Sequence, residues 1–508
     1  MSFRFSNQLT STQLTPAQAG FASLVPADVG HIDLDMPAIV SDITSAITRT
    51  ITPTITSAIT PTITQNSRLP LAAPERIGKY RVLSKLGEGA TSDVYLCHDD
   101  FHDRDVAVKQ VRASAHADSI DARFGERFFA AEAALVGRLQ HPNVVQILDA
   151  VPDPVAPYIV MEYVPGNTLR RYCRADSLLS LELVVEMGFK CAMALGYVFR
   201  QGLIHRDVKP ANLLAVLTHG DVTDVKITDF GSVLNFKSDV TQIYRVGSLA
   251  YMSPEQLDGG SLDCRADMYG LGAVLFHLIA GRPPFDAPAQ AALVHQVYNA
   301  RPTSLCSLRP GVSPALDAVV QRALAKSPND RYANWDEFAQ ALSGLIAQKQ
   351  VPRGHLQGVL DSERFNLLRG LEFFSQFGDV ELWEVVHRAK WQRLNFGHAL
   401  YRRGEEGRSF HIIAQGELEV FRDGQKVAHL KAGTSVGEMA YLAPSEELRI
   451  HAADVIVVEA ATTISFTPDS LNQLAPSCLH LFDAAFIKVL VRRLHSAHES
   501  LAHPRKIL

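Results

Sequence analysis

The chain has little cysteine and no long apolar run, and both shortages narrow what it can be. Its six cysteines are scattered over 508 residues without a Cys-x-x-Cys pair, which excludes the usual structural zinc spacings and a dense disulfide framework. No uncharged apolar stretch approaches the roughly 20 residues that cross a bilayer, and the N-terminus lacks the features of a secretory signal. We therefore expect reduced thiols, no membrane partner and a cytoplasmic location.

A large excess of charge of one sign is also missing. The formal net charge is −5, and the chain is 47% hydrophobic and 20% charged, which is typical of a globular protein. Without a basic excess the sequence gives no support for a nucleic-acid partner. A chain of this length is too long for one ordinary core, so we expect two or three domains.

Residues 1–74 differ in composition from the rest of the chain. Between Asp42 and Gln65 nearly every residue is Thr, Ile, Ser, Ala or Pro, and Pro53 and Pro61 would interrupt any strand ladder. We expect a flexible Thr-rich tail. Composition leaves two roles open for this tail. Its hydroxyls could be phosphorylation sites, or the tail could serve only as a tether.

A glycine-containing turn followed by a lysine in an apolar strand is the first motif with chemical content. Gly87 and Gly89 let backbone N–H groups approach phosphates without obstruction by a Cβ. Lys109 closes the run Val-Ala-Val-Lys, and a lysine that faces an interior needs pairing. Glu132, on a helix predicted over residues 128–139, is the expected carboxylate partner.

The most specific motif is His-Arg-Asp-Val-Lys-Pro-Ala-Asn, at 205–212. Phosphoryl transfer to a hydroxyl needs a carboxylate that orients and accepts the proton, and a cation near the migrating phosphate; Asp207 and Lys209 are of these types. It also needs an oxygen ligand for a divalent metal ion, which Asn212 offers. Asp229, in Asp-Phe-Gly, offers a second and ionised ligand.

Residues 80–345 resemble the eukaryotic-type Ser/Thr protein kinases, which also occur in bacteria. The resemblance implies an α+β, bilobal fold with a β-rich N-lobe and a helical C-lobe. It implies ATP with Mg²⁺ or Mn²⁺ as cofactors, and transfer of the γ-phosphoryl group to Ser and Thr hydroxyls of protein substrates. Catalytic roles fall on Asp207, Lys209, Lys109 and Glu132. The implied nucleotide-binding positions are Leu86, Gly87, Glu88, Gly89, Ala90, Val94, Ala107, Lys109, Glu162, Val164 and Leu214.

Further positions of the resemblance concern support and regulation. Glu255, in Ser-Pro-Glu, would form a buried ion pair with Arg331, and Asp267 would hold the backbone of the catalytic loop. Arg206 lies next to the proposed base, and kinases with this arginine are often switched by phosphorylation of the activation loop. The candidate phosphosites between Gly231 and Gly247 are Ser232, Ser238, Thr241 and Tyr244. We expect Thr241 from its distance before Gly247, and autophosphorylation would supply the phosphate.

The last part of the chain changes pattern again. Residues 395–466 return to short alternating strands, and Asp423-Gly424 between two of them is a strong signal for a tight hairpin. Two further motifs are Gly-Glu-Leu-Glu-Val at 416–420 and Gly-Thr-Ser-Val-Gly-Glu-Met-Ala at 433–440. On these motifs residues 362–500, after a linker over 346–361, resemble a cyclic-nucleotide-binding domain. The resemblance implies a small β-barrel flanked by helices, with a regulatory role toward the kinase.

A ligand site in this domain would lie at the Gly-Glu turn. In the family the turn caps a short helix whose N-terminus binds the phosphate, and the glutamate takes the ribose 2′-hydroxyl; Gly437 and Glu438 stand at these places. An arginine should pair with the phosphate, but His451 occupies the expected position and Arg449 lies two residues earlier. A cyclic nucleotide as ligand, and a barrel kept for docking or dimerisation, both remain open.

Three functions compete for the whole chain. The first is an active kinase regulated through its C-terminal domain, and the second is a pseudokinase scaffold. Pseudokinases typically lose the lysine, the base or the metal ligand, whereas Lys109, Asp207 and Asp229 are all present. The third is a small-molecule kinase, against which the substrate-docking segment at 247–255 argues.

Overall fold

A computed structural model describes most of the chain beyond the Thr-rich segment, and all the described residues belong to one compact unit, Ala72–Leu508. The predicted N-terminal tail therefore lies outside the described residues, as do Ala90 and Thr241. The described ranges are 74–89, 92–112, 129–153, 156–232, 234–235, 249–354, 359–443, 445 and 449–502.

The first lobe is a six-stranded antiparallel sheet with the strand order β1-β2-β3-β4-β6-β5. Its strands alternate between a buried and an open face, because successive side chains point to opposite sides. Tyr95, Cys97, Val106 and Val108 fill the buried face, and they form a small core of their own with neighbouring aromatic residues. The strands are β1 (Arg76–Ile77), β2 (Tyr80–Glu88), β3 (Ser92–Asp99), β4 (Arg104–Val111), β5 (Ile147–Val151) and β6 (Tyr158–Glu162).

The helix predicted over residues 128–139 is shorter than expected. Residues 129–133 are helical, but from Leu135 onward the backbone N–H groups bond three residues back instead of four. Gly137 has φ +69° and donates to the carbonyl of Ile147 on β5. A glycine in the left-handed region ends helical geometry, so the chain turns here toward β5.

The second lobe is mainly helical and is organised around one long helix. The side chain of Ser180 accepts the N–H of Leu183 and caps this helix. It is α1, and almost every side chain on it is buried, including three charged ones. The helices are α1 (Leu181–Arg200), α2 (Pro254–Leu257), α3 (Cys264–Ala280), α4 (Gln290–Asn299), α5 (Leu305–Leu308), α6 (Pro314–Ala323) and α7 (Trp335–Ala347).

Short strands line the upper edge of this lobe, where the catalytic motifs lie. They form a three-stranded sheet in the order β10-β9-β7 and a two-stranded sheet of β8 and β11. All pairings are antiparallel. The strands are β7 (Gly166–Thr168), β8 (Leu203–Ile204), β9 (Leu213–Thr218), β10 (Asp221–Ile227) and β11 (Leu234–Asn235).

One ion pair deep in the second lobe matches the sequence-based expectation. The guanidinium of Arg331 donates to both carboxylate oxygens of Glu255, at 2.6 and 2.8 Å. The side chain of Arg331 is fully buried and also donates to the carbonyls of Ala325, Arg265 and Lys326. A buried guanidinium with this many acceptors is satisfied without water.

The C-terminal domain is a six-stranded antiparallel sheet with helices before and after it. The main path is β12-β17-β14-β15, with β13 added to β17 and β16 to β14. The predicted hairpin is confirmed, since Asp423 and Gly424 have φ of +52° and +77° between paired Arg422 and Gln425. The strands are β12 (Lys390–Leu394), β13 (Ala399–Tyr401), β14 (Phe410–Arg422), β15 (Gln425–Leu430), β16 (Ser435–Val436) and β17 (Asp454–Phe466).

Among the described residues, five α-helices lie before, between and after the strands of this sheet. The final helix begins after β17 and a short helix that starts with a proline, and it is the longest of the described helices. The helices are α8 (Asp361–Gly370), α9 (Asp379–Arg388), α10 (Glu438–Tyr441), α11 (Pro468–Asn472) and α12 (Pro476–Ala502). The predicted fold class is confirmed, with a β-rich lobe, a helical lobe and a β domain flanked by helices.

A single apolar core runs from the second lobe into the C-terminal domain. The ring of Phe189 on α1 lies 6.1 Å from those of Phe365 on α8 and Trp383 on α9. Trp383 also contacts His141, 6.2 Å away in the loop before β5. The two parts are therefore joined by packed aromatic side chains.

Two expectations from composition can be compared with the described residues. Five of the six cysteines are buried and unbonded, and Cys306 is exposed, as expected for small apolar residues. Among the helices of the described ranges, none has the length and apolar character of a membrane span.

We expect Arg331→Met to lower the free energy of unfolding by about 3–5 kcal/mol, because it leaves the Glu255 carboxylate without its buried partner. Urea denaturation of the full chain would measure the loss. Arg174→Ala is the matched control, since it removes an exposed pair with Asp176 and should cost no more than about 1 kcal/mol. Equal losses in the two variants would contradict the assignment.

Candidate active site

A cleft of about 670 Å³ lies between the first sheet and the second lobe. The sheet contributes its roof, and strands β7 and β9 with the residues that follow β10 contribute to its floor. Every nucleotide-binding position expected from the sequence that falls within the described residues lines this cleft. These are Leu86, Gly87, Glu88, Gly89, Val94, Ala107, Lys109, Glu162, Val164 and Leu214.

The centre of the cleft is a lysine held by two carboxylates. The Nζ of Lys109, on β4, lies 2.8 and 3.0 Å from the oxygens of Glu132 and 2.7 Å from Oδ1 of Asp229. Glu132 comes from the short helix at 129–133, and Asp229 follows β10. Three separate segments thus meet at one half-buried cation.

The charges of this cluster fix its protonation. Burial lowers the pKa of Lys109, but the adjacent charges of Asp229 and Glu132 outweigh it, so the pKa is raised and the amine stays protonated. Burial also raises the pKa of Asp229, yet the lysine reverses the effect and holds that pKa well below its usual range. Glu132 is the more deeply buried acid, and burial raises its pKa.

The catalytic loop presents Asp207 with two partners. The Nζ of Lys209 lies 2.6 Å from Oδ2 of Asp207, and the amide nitrogen of Asn212 donates to the same oxygen at 3.0 Å. The Asn212 amide also donates to the backbone carbonyl of Asp207 at 2.9 Å. All three side chains line the cleft with Asp229.

The oxygen ligands in the cleft fit a small divalent cation. Because the Asn212 nitrogen is committed to Asp207, its amide oxygen faces the other way and is available as a ligand. The ionised carboxylate of Asp229 lines the same cleft. Mg²⁺ is commonly held by one or two protein oxygens together with substrate phosphates.

The backbone of the catalytic loop is held from below by Asp267, on α3. One carboxylate oxygen accepts the N–H of His205 and the other that of Arg206, each at 2.7 Å. Arg206 and Asp229 have φ of +64° and +65°, which is strained for residues with a Cβ and is found mainly at functional sites. Asp267 therefore keeps the loop in a conformation that it would not adopt alone.

Arg206 is a partly buried arginine for which the described residues provide no ion-pair partner. Burial lowers the pKa of its guanidinium, and its Nε donates to the carbonyl of Ser232 at 2.5 Å. No acidic side chain in the described part of the chain forms an ion pair with it. The expected phosphosite, Thr241, lies outside the described residues.

The glycine turn above the cleft is closed by a serine, which stands at the third glycine of the kinase pattern. The N–H of Gly89 donates to the carbonyl of Ser92 at 2.7 Å. A Cβ at position 89 would approach that carbonyl to 3.1 Å, so glycine is favoured there. Lys85 and Arg112 form ion pairs with the acidic residues Glu88 and Asp93 of the turn.

The segment after β6 exposes backbone groups to the cleft. The carboxylate of Glu162 binds Lys226 at 2.7 Å, and its backbone N–H donates to the carbonyl of Gln146. The side chain and the backbone N–H of Glu162 are therefore occupied elsewhere, and Glu162 and Val164 both line the cleft. This arrangement agrees with adenine recognition by main-chain groups.

The second candidate site, in the C-terminal domain, is only partly assembled. Gly437 has φ +86°, and a Cβ there would lie 2.4 Å from the hydroxyl of Tyr401. His451 is buried and its ring stacks on Tyr401 with 3.8 Å between centroids. Arg449 contributes its carbonyl to the N–H of Gly407 at 2.6 Å, and its buried Nε has no hydrogen-bond partner among the described residues.

A residue that the sequence did not point to reaches this site from the last helix. Arg493, on α12, forms an ion pair with Oε1 of Glu438 and donates to the carbonyl of Ser435 at 2.7 Å. Glu438 is fully buried, burial raises its pKa, and its Oε2 has no partner in the described part of the chain. The C-terminal helix thus supplies Arg493 as the cation that pairs with Glu438 in the Gly-Glu turn.

The fold and the cleft together define a protein kinase domain followed by a second, β-rich domain. Residues 80–343 match the family model of the protein kinase domain, and residues 391–477 match that of the cyclic nucleotide-binding domain. The first match covers just over half of the chain. The chain belongs to the protein kinase family, and the family resemblance of its motifs is confirmed.

Named relatives support the same family. A probable serine/threonine-protein kinase of Streptomyces coelicolor is 38% identical over 288 residues, which are 55% of this chain and 42% of the relative. The serine/threonine-protein kinase PknB of Mycobacterium tuberculosis is 38% identical over 299 residues, 57% of this chain and 46% of the relative. A probable serine/threonine-protein kinase of Clostridium acetobutylicum is 34% identical over 271 residues, 53% and 40% respectively. The match spans less than half the length of each relative.

We expect Asp267→Asn to lower kcat about ten- to a hundredfold. The amide keeps one acceptor, so one of the two loop N–H groups loses its bond, at a cost of about 1–3 kcal/mol. Steady-state kinetics with a generic protein substrate would show the loss in kcat, with KM for ATP little changed. Asp263→Asn, in the N-cap of the same helix, is the control and should leave kcat within about twofold. A rise in the KM for ATP with kcat unchanged would contradict the positioning role.

Proposed function

We propose that the chain is an ATP-dependent Ser/Thr protein kinase that transfers the γ-phosphoryl group to protein hydroxyls. The observation that carries the proposal is the contact of Lys109 with both Glu132 and Asp229, in one cleft with Asp207 and Asn212. A lysine with these two carboxylates is the arrangement that an active kinase requires. The assembled cluster also argues against a pseudokinase scaffold.

Each side chain has a separate task in this proposal. Lys109 would bind ATP phosphates while Glu132 holds its amine in place. Asp207 would orient the substrate hydroxyl and accept its proton. Since Lys209 and Asn212 both bind Oδ2, Oδ1 is the oxygen left for the substrate. Lys209, a cation beside the base, would stabilise the charge that develops on the migrating phosphoryl group.

Asn212 and Asp229 would hold Mg²⁺ or Mn²⁺. The metal, when bound, neutralises the charge of the phosphates. The two side chains differ in how they are prepared for this role, because Asp229 is kept ionised by Lys109 and Asn212 is oriented by Asp207.

Regulation would act at two places. A phosphate on Thr241, added by the kinase itself, would give Arg206 the anion that its surroundings lack. The C-terminal domain would act through its contacts with the second lobe. Both belong to the proposal, as do a cytoplasmic location and protein substrates.

We expect Asp207→Asn to abolish transfer of radiolabelled phosphate from ATP, with a loss of at least about a thousandfold, because general-base catalysis and substrate orientation are both lost. The assay uses the full chain with and without a generic protein substrate. Asp221→Asn, on the exposed end of β10, is the control and should retain activity.

Two outcomes of this assay bear on the alternatives. Equal incorporation by wild type and Asp207→Asn would disprove the kinase proposal, and labelling of neither would support a scaffold. In the same assay Thr241→Ala, after dephosphorylation and incubation with ATP, should stay below wild-type activity. Full recovery would rule out Thr241 as the switch.

We also propose that the C-terminal domain binds a cyclic nucleotide at the Gly437–Glu438 turn. The observation that favours it is a fully buried glutamate with one oxygen lacking a partner in the described residues, since an unpaired acceptor is costly and suits a ligand hydroxyl. Arg493 would be the competitor for this carboxylate, and its side chain is 43% exposed.

We expect Arg493→Ala to strengthen binding of cyclic AMP or cyclic GMP about two- to fivefold, because a partly exposed ion pair contributes at most about 1 kcal/mol. Calorimetric titration of the full chain would measure it. Glu438→Ala should abolish binding. If neither the wild type nor Arg493→Ala binds either nucleotide, the domain serves docking or dimerisation instead.

A further inference from the structure

Three charged side chains form a stripe on the most deeply buried helix of the second lobe. Glu182, Glu186 and Lys190 are spaced four residues apart on α1 and therefore share one face. Their exposures are 1%, 4% and 2%. Charged groups are buried at this depth only when they are paired, so each should have a specific partner.

The partners of Glu182 and Glu186 are Arg353, Gly354 and Ser362, in the segment that leads into the C-terminal domain. Glu182 accepts the N–H of Gly354 at 3.3 Å and lies 3.6 Å from the guanidinium of Arg353. Glu186 accepts the N–H of Ser362 at 2.9 Å and its hydroxyl at 2.5 Å. The stripe is thus a docking surface for this segment.

The contact of Glu186 has a clear physical basis. Ser362 is the second residue of α8, and the first N–H groups of a helix lack partners within it. A carboxylate at this end also interacts favourably with the helix dipole. A side chain of the kinase domain therefore completes a helix of the C-terminal domain.

Lys190 differs from the other two because it binds one carboxylate in the C-terminal domain and one in the kinase domain. Its Nζ lies 2.8 Å from Oδ2 of Asp361, the first residue of α8, and 3.0 Å from Oδ1 of Asp224 on β10. The strand β10 leads directly to the proposed metal ligand Asp229. The two carboxylates raise the pKa of Lys190 although burial lowers it, so the cation is permanent.

Asp224 lies at a bulge in β10 and accepts a hydrogen bond from Asn143, in the loop before β5. The register of β10 shifts between Val222 and Asp224, and such a bulge re-aims side chains. Oδ1 of Asp224 also accepts the side-chain amide of Asn143 at 2.9 Å. The backbone carbonyl of Asn143 in turn accepts the N–H of Ile227 at 2.8 Å, two residues before Asp229.

We propose that Lys190 is a positioning residue that couples the C-terminal domain to Asp229, because it holds Asp361 and Asp224 at once. Loss of the contact with Asp361 would leave Asp224 and Lys190 to rearrange, and β10 would lose part of its support. The inference rests on the proposed kinase function, and it names the contact through which the C-terminal domain regulates the catalytic centre.

The test compares two single substitutions in the full chain. Asp361→Asn removes the charge that Lys190 meets on α8. Asp379→Asn is the matched control, since it removes another ion pair between the same two domains, that with Arg200, which does not touch β10. We expect Asp361→Asn to speed amide hydrogen exchange selectively within residues 221–229, by about three- to thirtyfold, and Asp379→Asn to leave it within about twofold.

A second measurement follows the metal site. Asp361→Asn should raise the Mg²⁺ concentration for half-maximal kinase activity by a similar factor, whereas a residue that serves stability alone would speed exchange in all segments. Asp361→Glu keeps the charge and should restore most of the protection, and it also serves if Asp361→Asn fails to fold.

The outcomes separate this inference from the proposed function. Equal exchange at 221–229 in Asp361→Asn and Asp379→Asn would overturn the coupling, whether or not the chain transfers phosphate. Absence of phosphate transfer in the wild type would overturn the kinase proposal, and the exchange comparison would still decide whether Lys190 links α8 to β10.

Discussion

A half-buried lysine between two lobes needs counter-charges, and the architecture depends on how Lys109 finds them on both sides of the cleft. The amine projects from β4, one carboxylate comes from the helix at 129–133, and the other follows β10. Lys109 is separated in sequence by 23 residues from Glu132 and by 120 from Asp229. Their meeting fixes the relative position of the sheet and the second lobe, and with it the depth and shape of the cleft. A shift of any one segment would strand a charge in an apolar setting.

The catalytic centre could be predicted largely from the sequence because its chemistry requires particular residue types at short spacing. Asp207, Lys209 and Asn212 fall within six residues, and the structure places them in mutual contact. The pairing of Glu255 with Arg331 could be predicted for another reason, because the kinase family pattern links these two distant positions. The roles of the individual side chains remain predictions, and Ala90 and Thr241 lie outside the described residues.

Other features escaped the sequence because they depend on contacts that no local pattern encodes. The helix expected over 128–139 stops early, since the conformation of Gly137 and its bond to β5 outweigh helical periodicity. Arg493 sits in an amphipathic helix with nothing to distinguish it from other surface arginines. The stripe on α1 did leave a signal, because three charges at helical spacing in an otherwise apolar helix are costly alone. Its partners, some 170 residues onward, were not deducible.

The continuous aromatic core has a consequence for modularity. Two separate family models match the kinase domain and the cyclic nucleotide-binding domain, as if the two were independent. In this chain a fragment ending near residue 350 would uncover Phe189 and His141, and the carboxylates of Glu182 and Glu186 would lose the groups that they bind. Such a fragment would be prone to self-association through a surface that evolved as an interior. The second domain thus shields side chains of the kinase domain from solvent. Either domain could be moved into another protein only with a redesigned α1.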